Sequence, residues 1–423
     1  MTGRAKILSR LAIRNVRRQR RRSVLTGLAM GLGVAVLVFT RALGDGTHED
    51  WIDAAVRLGS GHIAFQHPRF QASKSLDDRL SAQAFDQARH VLEAQAVAEK
   101  VSVVAPRLQI QGLANSASSA VPVFVTGVDP EIEAVFSQLG ERVVDGRYLE
   151  ADDRLQAYIG RRLADRLDLE VGSRLVLTAQ DAAGEIAGQF VRVVGIFETG
   201  LPEADEGIVH IPLATAREWL QLGDAATTVA VLLDSGWEVP GVLSLLRSQV
   251  DQESAELTVL GWRESMPELD AAIKIDDFGA YVFQIFLFAI IALAIVNTVL
   301  MSVMHRTREF GVLRALGLTK GQTAAVVFSE GVFLTAVSGI AGMLFGFAFT
   351  WIFFRNGLDY SALMQEDFTF SGVVLDPVIV PVFRIVQVLQ SLGSIFIVGA
   401  VASLYPAYRA TRIDVAEAMK FEA

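Results

Sequence analysis

Four stretches of this chain hold no charged residue: residues 24–40, 280–304, 331–354 and 385–404. Each approaches or exceeds the ~20 residues an α-helix needs to cross about 30 Å of hydrocarbon. A helix satisfies its own backbone groups in lipid, so runs this long and apolar predict four membrane-spanning helices. Their spacing constrains the fold further. The 233 residues from 45 to 277 separate the first run from the second and carry 38 Asp+Glu against 19 Lys+Arg. That is a net of −19 in a chain whose overall net charge is −9. The rest of the molecule is therefore basic and apolar, and the two parts belong in different solvents.

The loop charges orient the spans. Residues 1–22 contain nine Lys/Arg and no acid, which keeps the N-terminus cytoplasmic by the positive-inside rule. The first helix then delivers the acidic block outside. Arg306, Arg308, Arg314 and Lys320 bring the chain back inside, the acids at 359, 366, 367 and 376 mark an outer loop, and Arg409, Arg412 and Lys420 end inside. A cleavable signal peptide is disfavoured, because the first run exceeds a 7–15-residue h-region and no A-x-A site follows. Ile7, Leu8, Leu11 and Val16 recur at helical spacing among the arginines, which predicts an amphipathic entry helix on the inner surface. Anionic lipid, not nucleic acid, is the partner this basic segment suggests.

The chain has no cysteine, which excludes disulfides and thiolate metal sites, so the outer domain must rest on its own core. Strand patterns at 62–66, 101–113 and 121–128 and a helical pattern at 80–98 give a β-α-β-β order. From 145 onward short strands (175–179, 190–197, 207–211) alternate with Gly-bearing turns. A strand at 227–233, a helix at 239–250 and a strand at 257–261 then return to the first sheet. The expectation is an α+β subdomain split in sequence, with a β-rich subdomain inserted into it. His62 and His67, five apart, point to opposite faces of a strand and read as two ordinary surface histidines, not metal ligands. Asp152-Asp153 and the acids at 203–206 read as solvated loops. There is no G-x-S-x-G, no H-E-x-x-H and no G-x-x-x-x-G-K-[ST]. Neither catalytic residues nor a metal site are expected, and any ATP used must be bound by another polypeptide.

The segment 297–333, NTVLMSVMHRTREFGVLRALGLTKGQTAAVVFSEGVF, is the most specific. A span ends at Met304, a charged helical turn follows, Gly317 breaks it, and a new helix starts near Thr319. A short helix across the ends of two spans is a handle for a partner: its charges would form docking salt bridges, and Phe310, Val312, Leu313 and Leu316 would fill a cleft. The plainer alternative is a solvated turn that anchors two spans. Glu330, about one turn inside the next span, requires a partner such as Arg314 or an interfacial position, and reads as a structural brace. Gly339, Gly342 and Gly346, with Gly27 and Gly31 on the first helix, predict close helix pairing.

Residues 306–317, R-T-R-E-F-G-V-L-R-A-L-G, resemble the E-R-T-R-E-I-G-I-x-R-A-x-G-A stretch of the MacB/FtsX/Lol-type ABC transporter permeases. The ending from Tyr405-Pro406-Ala407 through Asp414-Val415-Ala416-Glu417-Ala418 is similar to that group's P-A-x-x-A-x-x-x-D-P-x-x-A-L, and the N-terminal LAIRNVRRQRRRSVLT is similar to its entry helix. His305, Tyr408 and Val415 depart from its usual Glu, Arg and Pro.

The resemblance implies a membrane α-helical protein with four transmembrane helices and a large periplasmic α+β domain between helices 1 and 2. It divides the chain into an entry helix (1–22), spans at 23–44, 278–304, 323–355 and 380–404, a periplasmic loop (356–379) and a cytoplasmic tail (405–423). The periplasmic domain (45–277) would have a porter-like part (about 45–140 and 225–277) and a sabre-like part (about 141–224). Residues 305–322 would be the coupling segment, with Arg306, Thr307, Arg308, Glu309, Phe310, Leu313, Arg314 and Gly317 meeting a separate ATP-binding subunit. That subunit would hold ATP and Mg²⁺, and this chain no cofactor. A second copy or a paralogue would complete a dimer in the bacterial inner membrane, with both termini cytoplasmic.

Gly61-His62-Ile63, His67-Pro68 and residues 200–207 look most like the lipoprotein-releasing branch, which extracts lipidated cargo from the outer leaflet and passes it to a periplasmic carrier. In that branch a Pro-containing hairpin hooks the carrier. The matching turn here, with Gln180, Asp181, Gly184, Glu185 and Gly188, is shorter and has no proline. The alternatives are an FtsX-like scaffold that transmits force to a periplasmic protein, and MacB-like efflux with a separate ATPase.

Overall fold

The apolar runs are parts of longer helices. The computed structural model describes residues 20–116, 119–200, 202–250, 256–359, 369–370, 373–374 and 378–413. The amphipathic entry helix expected before residue 20, most of the loop at 356–379 and the ending from Asp414 lie outside the described residues. In chain order the main elements begin with α1 (Arg20–Leu58), β1 (Ile63–Gln66), α2 (Ala82–Leu92), β2 (Val101–Asn115), β3 (Ala120–Val128) and α3 (Pro130–Phe136). There follow β4 (Val143–Gly146), β5 (Gln156–Gly160), β6 (Arg174–Gln180), β7 (Ile186–Phe197), β8 (Ile208–Pro212) and β9 (Thr228–Leu233). The chain continues through α4 (Val239–Val250), β10 (Thr258–Gly261), α5 (Pro267–His305), α6 (Thr307–Ala315), α7 (Lys320–Phe354) and α8 (Ile385–Thr411). Four of these helices are long and apolar enough to cross a membrane. With 39 residues each, α1 and α5 extend ~58 Å at 1.5 Å per residue, well beyond the hydrocarbon thickness.

Contacts divide the chain into a membrane unit and a domain unit. The first is built on α1 to residue 49, α5 from residue 274, and α6–α8; the second is built mainly on residues 50–273. In the membrane unit α7 packs closely on two neighbours through small residues. A Cβ at Gly342 would lie 2.7 Å from the Cα of Gly31 on α1, and one at Gly346 would lie 2.7 Å from the Cα of Ala35. Gly27 faces Ser338 of α7, Gly339 faces Ile395 of α8, and Gly331 meets Ser403 of α8. In lipid, where no hydrophobic effect draws helices together, such close approach supplies the dispersion contacts that hold them.

The domain unit carries one ten-stranded sheet in the order β10–β1–β9–β2–β3–β8–β5–β7–β4, with β6 pairing β2 and β7. β3–β8 and β5–β7 are parallel, and the other ladders are antiparallel. β1 lies between the two returning strands, β9 and β10. Both β1 and β9 are buried at every position; their polar residues pair with each other, Gln66 Nε2 donating to Thr228 Oγ1 at 2.9 Å. The long strand β2 serves two cores. Residues 101–107 pair with β9 and 108–115 with β3. Ala105 belongs to the core shared with α2, α4 and β1, whereas Leu108 and Ile110 belong to the core shared with β5–β8.

The polar residues of the domain are less exposed than the sequence suggests. His62 is buried, and its Nδ1 accepts from the Leu233 amide at 3.2 Å. The Nδ1 of His67, also largely covered, accepts from the Arg69 amide and lies 3.4 Å from Asp78. These are structural histidines, not surface ones. Each acid run likewise buries one carboxylate. Asp205, 2% exposed, accepts from the Thr199 amide and hydroxyl and the Gly200 amide. Asp153 forms a two-point pair with Arg147 at 2.7 and 2.8 Å, which holds its carboxyl below the usual carboxylate range. Local polarity in the sequence does not report these loop-closing roles, because each partner comes from a turn.

Candidate functional site

The segment joining α5 to α7 concentrates the specific chemistry of the membrane unit. The chain breaks at Arg306, which has non-helical backbone angles, and restarts as α6. Thr307 Oγ1 donates to the Met304 carbonyl at 2.7 Å, covering an acceptor at the end of α5. Gly317, with φ +100°, turns the chain out of α6 in a conformation that costs glycine little. Thr319 and Gln322 then form a reciprocal capping box that opens α7.

The residues of α6 divide by face. Arg306 is mostly buried; its Nη1 donates to Glu330 Oε2 at 3.1 Å and its Nε to Glu309 Oε2 at 2.8 Å. Ser302 Oγ donates to the other Glu330 oxygen at 3.0 Å. The Arg306 guanidinium also lies 5.2 Å from the centroid of Phe310. Phe310 is 1% exposed within the helix core, so it is not available to a partner's cleft. Arg314 donates to the Ile413 carbonyl. Glu330 therefore takes Arg306, not Arg314, as its partner. Arg308, Val312 and Leu316 are left exposed at intervals of four residues, on one helix face, with Leu313 beside them. Leu316 is 79% exposed. Of the residues expected to meet a partner, Arg308 and Leu313 are outward, whereas Arg306, Phe310 and Arg314 bind α6 to its own chain. Leu316 is the strongest outward apolar residue, and its place at the end of the helix beside Gly317 is the signal that marks it.

The turn from 180 to 188 is a tight hairpin. Gln180 and Gly188 lie in β6 and β7, and Gly188 pairs with Thr178. Asp181 organises the turn: its Oδ1 accepts from the amides of Ala183 and Glu185, each at 2.9 Å. Gly184 adopts φ +83°, and its carbonyl accepts from Gln180 Nε2. The side chains that project here are the apolar Ile186, 82% exposed, and Phe190. Among the described residues no group of three His, Asp or Glu is placed to hold a metal ion.

Comparison with known proteins bears on both units. Residues 281–415 match the FtsX-like permease C-terminal family. Residues 23–249, more than half the chain, match the MacB-like periplasmic core domain family. The chain belongs to the MacB/FtsX/Lol-type ABC transporter permeases. It is similar to the lipoprotein-releasing system transmembrane protein LolC of Xylella fastidiosa Temecula1, with 22% identity covering 97% of this chain and 98% of that protein. Neisseria meningitidis LolC is 23% identical over 76% of this chain and 79% of its own length. The macrolide export ATP-binding/permease protein MacB of Shewanella oneidensis is 21% identical over 98% of this chain but only 60% of its own length. As a permease of this type, the chain is a membrane protein that operates with an ATP-binding partner.

Proposed function

We propose that a separate ATPase subunit docks on α6, and that the chain converts its cycle into movement of residues 50–273 in the periplasm, acting on lipoprotein or similarly amphiphilic cargo in the outer leaflet of the inner membrane. The observation that carries the docking assignment is the division of α6. Arg306, Phe310 and Arg314 fasten the helix to its own chain, while Arg308, Val312, Leu313 and Leu316 face outward. A cationic and apolar face on a fastened helix can pass a push onward, whereas a solvated turn would absorb it. Two permease chains, identical or paralogous, would complete the assembly, and the basic N-terminus supports a cytoplasmic position for α6.

The cargo assignment rests on the likeness to LolC, which extends over nearly the whole of both chains. It predicts ATP-dependent release of lipoprotein from proteoliposomes holding this chain and its ATPase. Release at the same rate without nucleotide would sink it. A second reading, a scaffold that transmits force to a periplasmic protein, is favoured by one observation: the Asp181 turn is compact and self-bonded. Capture from periplasm separates the two, with a lipoprotein carrier supporting the first and a periplasmic hydrolase the second.

A further inference from the structure

Arg107 is the last residue of β2 in the ladder with β9, paired with Thr228, and Leu108 is the first in the ladder with β3, paired with Gly127. It therefore sits where the sheet passes from one core to the other. Its side chain is 2% exposed and forms a two-point ion pair with Glu133 of α3, itself 1% exposed, with Nε donating to Oε2 at 2.9 Å. The remaining donors go to the end of α1: Nη2 to the Arg57 carbonyl at 3.2 Å, and Nη1 to the Gly59 carbonyl. The guanidinium also lies 4.2 Å from the Phe136 ring centroid. Carbonyls at a helix C-terminus have no partner within the helix, and a cation there meets the negative end of the helix dipole.

We propose that Arg107 and Glu133 form the joint that fixes the C-terminal end of α1 to the junction of the domain's two cores. One planar cation fastens three separate pieces of chain: the end of α1, the crossover residue of β2, and α3. Arginine suits this position because five donors in a rigid fork can serve a carboxylate and two carbonyls together, which the single ammonium of lysine cannot do. Any displacement of the last turn of α1 then reaches both cores at one residue. The joint depends neither on the cargo nor on the ATPase, so its test is independent of the functional reading above.

The test is amide hydrogen exchange on the full chain in lipid nanodiscs. Removing one partner strands a buried charge, whereas replacing both with apolar side chains of similar volume is tolerated. The informative variants are therefore Arg107→Met/Glu133→Leu, which dissolves the joint with the fold retained, and Arg107→Lys, which keeps the charge but not the fork. The reporters are the amides of Gly59 and Gly61, which donate to the Ala55 and Val56 carbonyls at 2.8 and 2.9 Å. Both variants should exchange these two amides at least about tenfold faster than the parent, with β1 and β9 within about twofold. Unchanged exchange at Gly59 and Gly61 would overturn the proposal. So would equal acceleration across β1, β9 and both reporters, the mark of a pair that merely stabilises the core.

Discussion

Arg306 donates to Glu330 at 3.1 Å, across the break that separates α5 from α6 and onto the first turns of α7. The same guanidinium reaches Glu309 at 2.8 Å, so one cation ties together the start of α6, its own first turn and α7. Both members of the Arg306–Glu330 pair are largely shielded, with side chains 13% exposed. Removing either member should destabilise the chain by about 1–3 kcal/mol, because a poorly hydrated polar group is left without its partner. A double-mutant cycle with Arg306→Ala and Glu330→Ala, read by thermal unfolding in detergent, should give a coupling energy of about 0.5–3 kcal/mol. Additive losses would show that the two residues act separately.

The α1–α7 contact has no spare volume. Gly342→Leu would drive a side chain into the Gly31 backbone, and should lower the unfolding temperature by several degrees through a loss of about 1–3 kcal/mol. Gly393→Leu on α8 is the control, since nothing lies within 4 Å of its Cβ position. Equal unfolding temperatures for the two variants would contradict the packing described.

Acid should weaken the domain before its carboxylates titrate. Burial pushes the imidazole of His210 down to about 4 from its ordinary 6.5, and burial also lowers that of His62. Above pH 6.5 both rings are neutral, folded or unfolded. As pH falls through 6.5 the unfolded chain takes up protons that the folded chain refuses, so stability drops by up to about 1.4 kcal/mol per pH unit per group. The decline from His210 ends near pH 4. Urea midpoints at pH 7.5, 6.5 and 5 should show this fall, and His210→Gln should flatten it. A midpoint that rises between pH 6.5 and 5 would contradict the assignment.

Asp181 supplies two of the side-chain hydrogen bonds of the 181–185 turn, and Gln180 a third. Asp181→Ala should release the Ala183 and Glu185 amides and cost about 1 kcal/mol, read as faster exchange confined to that turn. Ile186→Ser, at a position 82% exposed, should change stability by less than about 0.5 kcal/mol. If Ile186→Ser also reduces capture of a periplasmic partner, the hairpin is the contact; if capture is unchanged, contact lies elsewhere.

What could be read in advance followed from pattern length. An uncharged run of about twenty residues has few alternatives in any solvent, so the four long helices were legible. Residues 239–250 form α4 with the boundaries their apolar spacing suggests. Some short strands were legible too, since the patterns at 62–66, 207–211 and 257–261 recur as β1, β8 and β10, but other short elements were not. β4 and β5 have four and five residues, and the helices Arg161–Leu167 and Leu213–Trp219 have seven each. At that length a turn or two of periodicity cannot be told from a loop. Pairings were the least legible. Arg107 finds Glu133 twenty-six residues away, and Glu330 takes Arg306, twenty-four residues away, although Arg314 lies nearer in sequence. Such choices are made by the tertiary fold. The burial of Phe310 is of the same kind: α6 carries apolar residues around much of its circumference, so its sequence alone does not say which face its own chain takes.

The central claim is that the outward face of α6 receives the ATPase. Its most direct measurement is co-purification of the ATP-binding subunit with the full chain carrying Arg308→Glu and Leu316→Asp. Both residues are exposed, so membrane insertion and unfolding temperature should match the parent. The account predicts that at least about nine-tenths of the ATPase is lost, since a reversed charge and a buried carboxylate at an interface together cost more than the ~1.4 kcal/mol of a tenfold change. ATPase recovered at the parent's level, from a variant equally well folded, would contradict it.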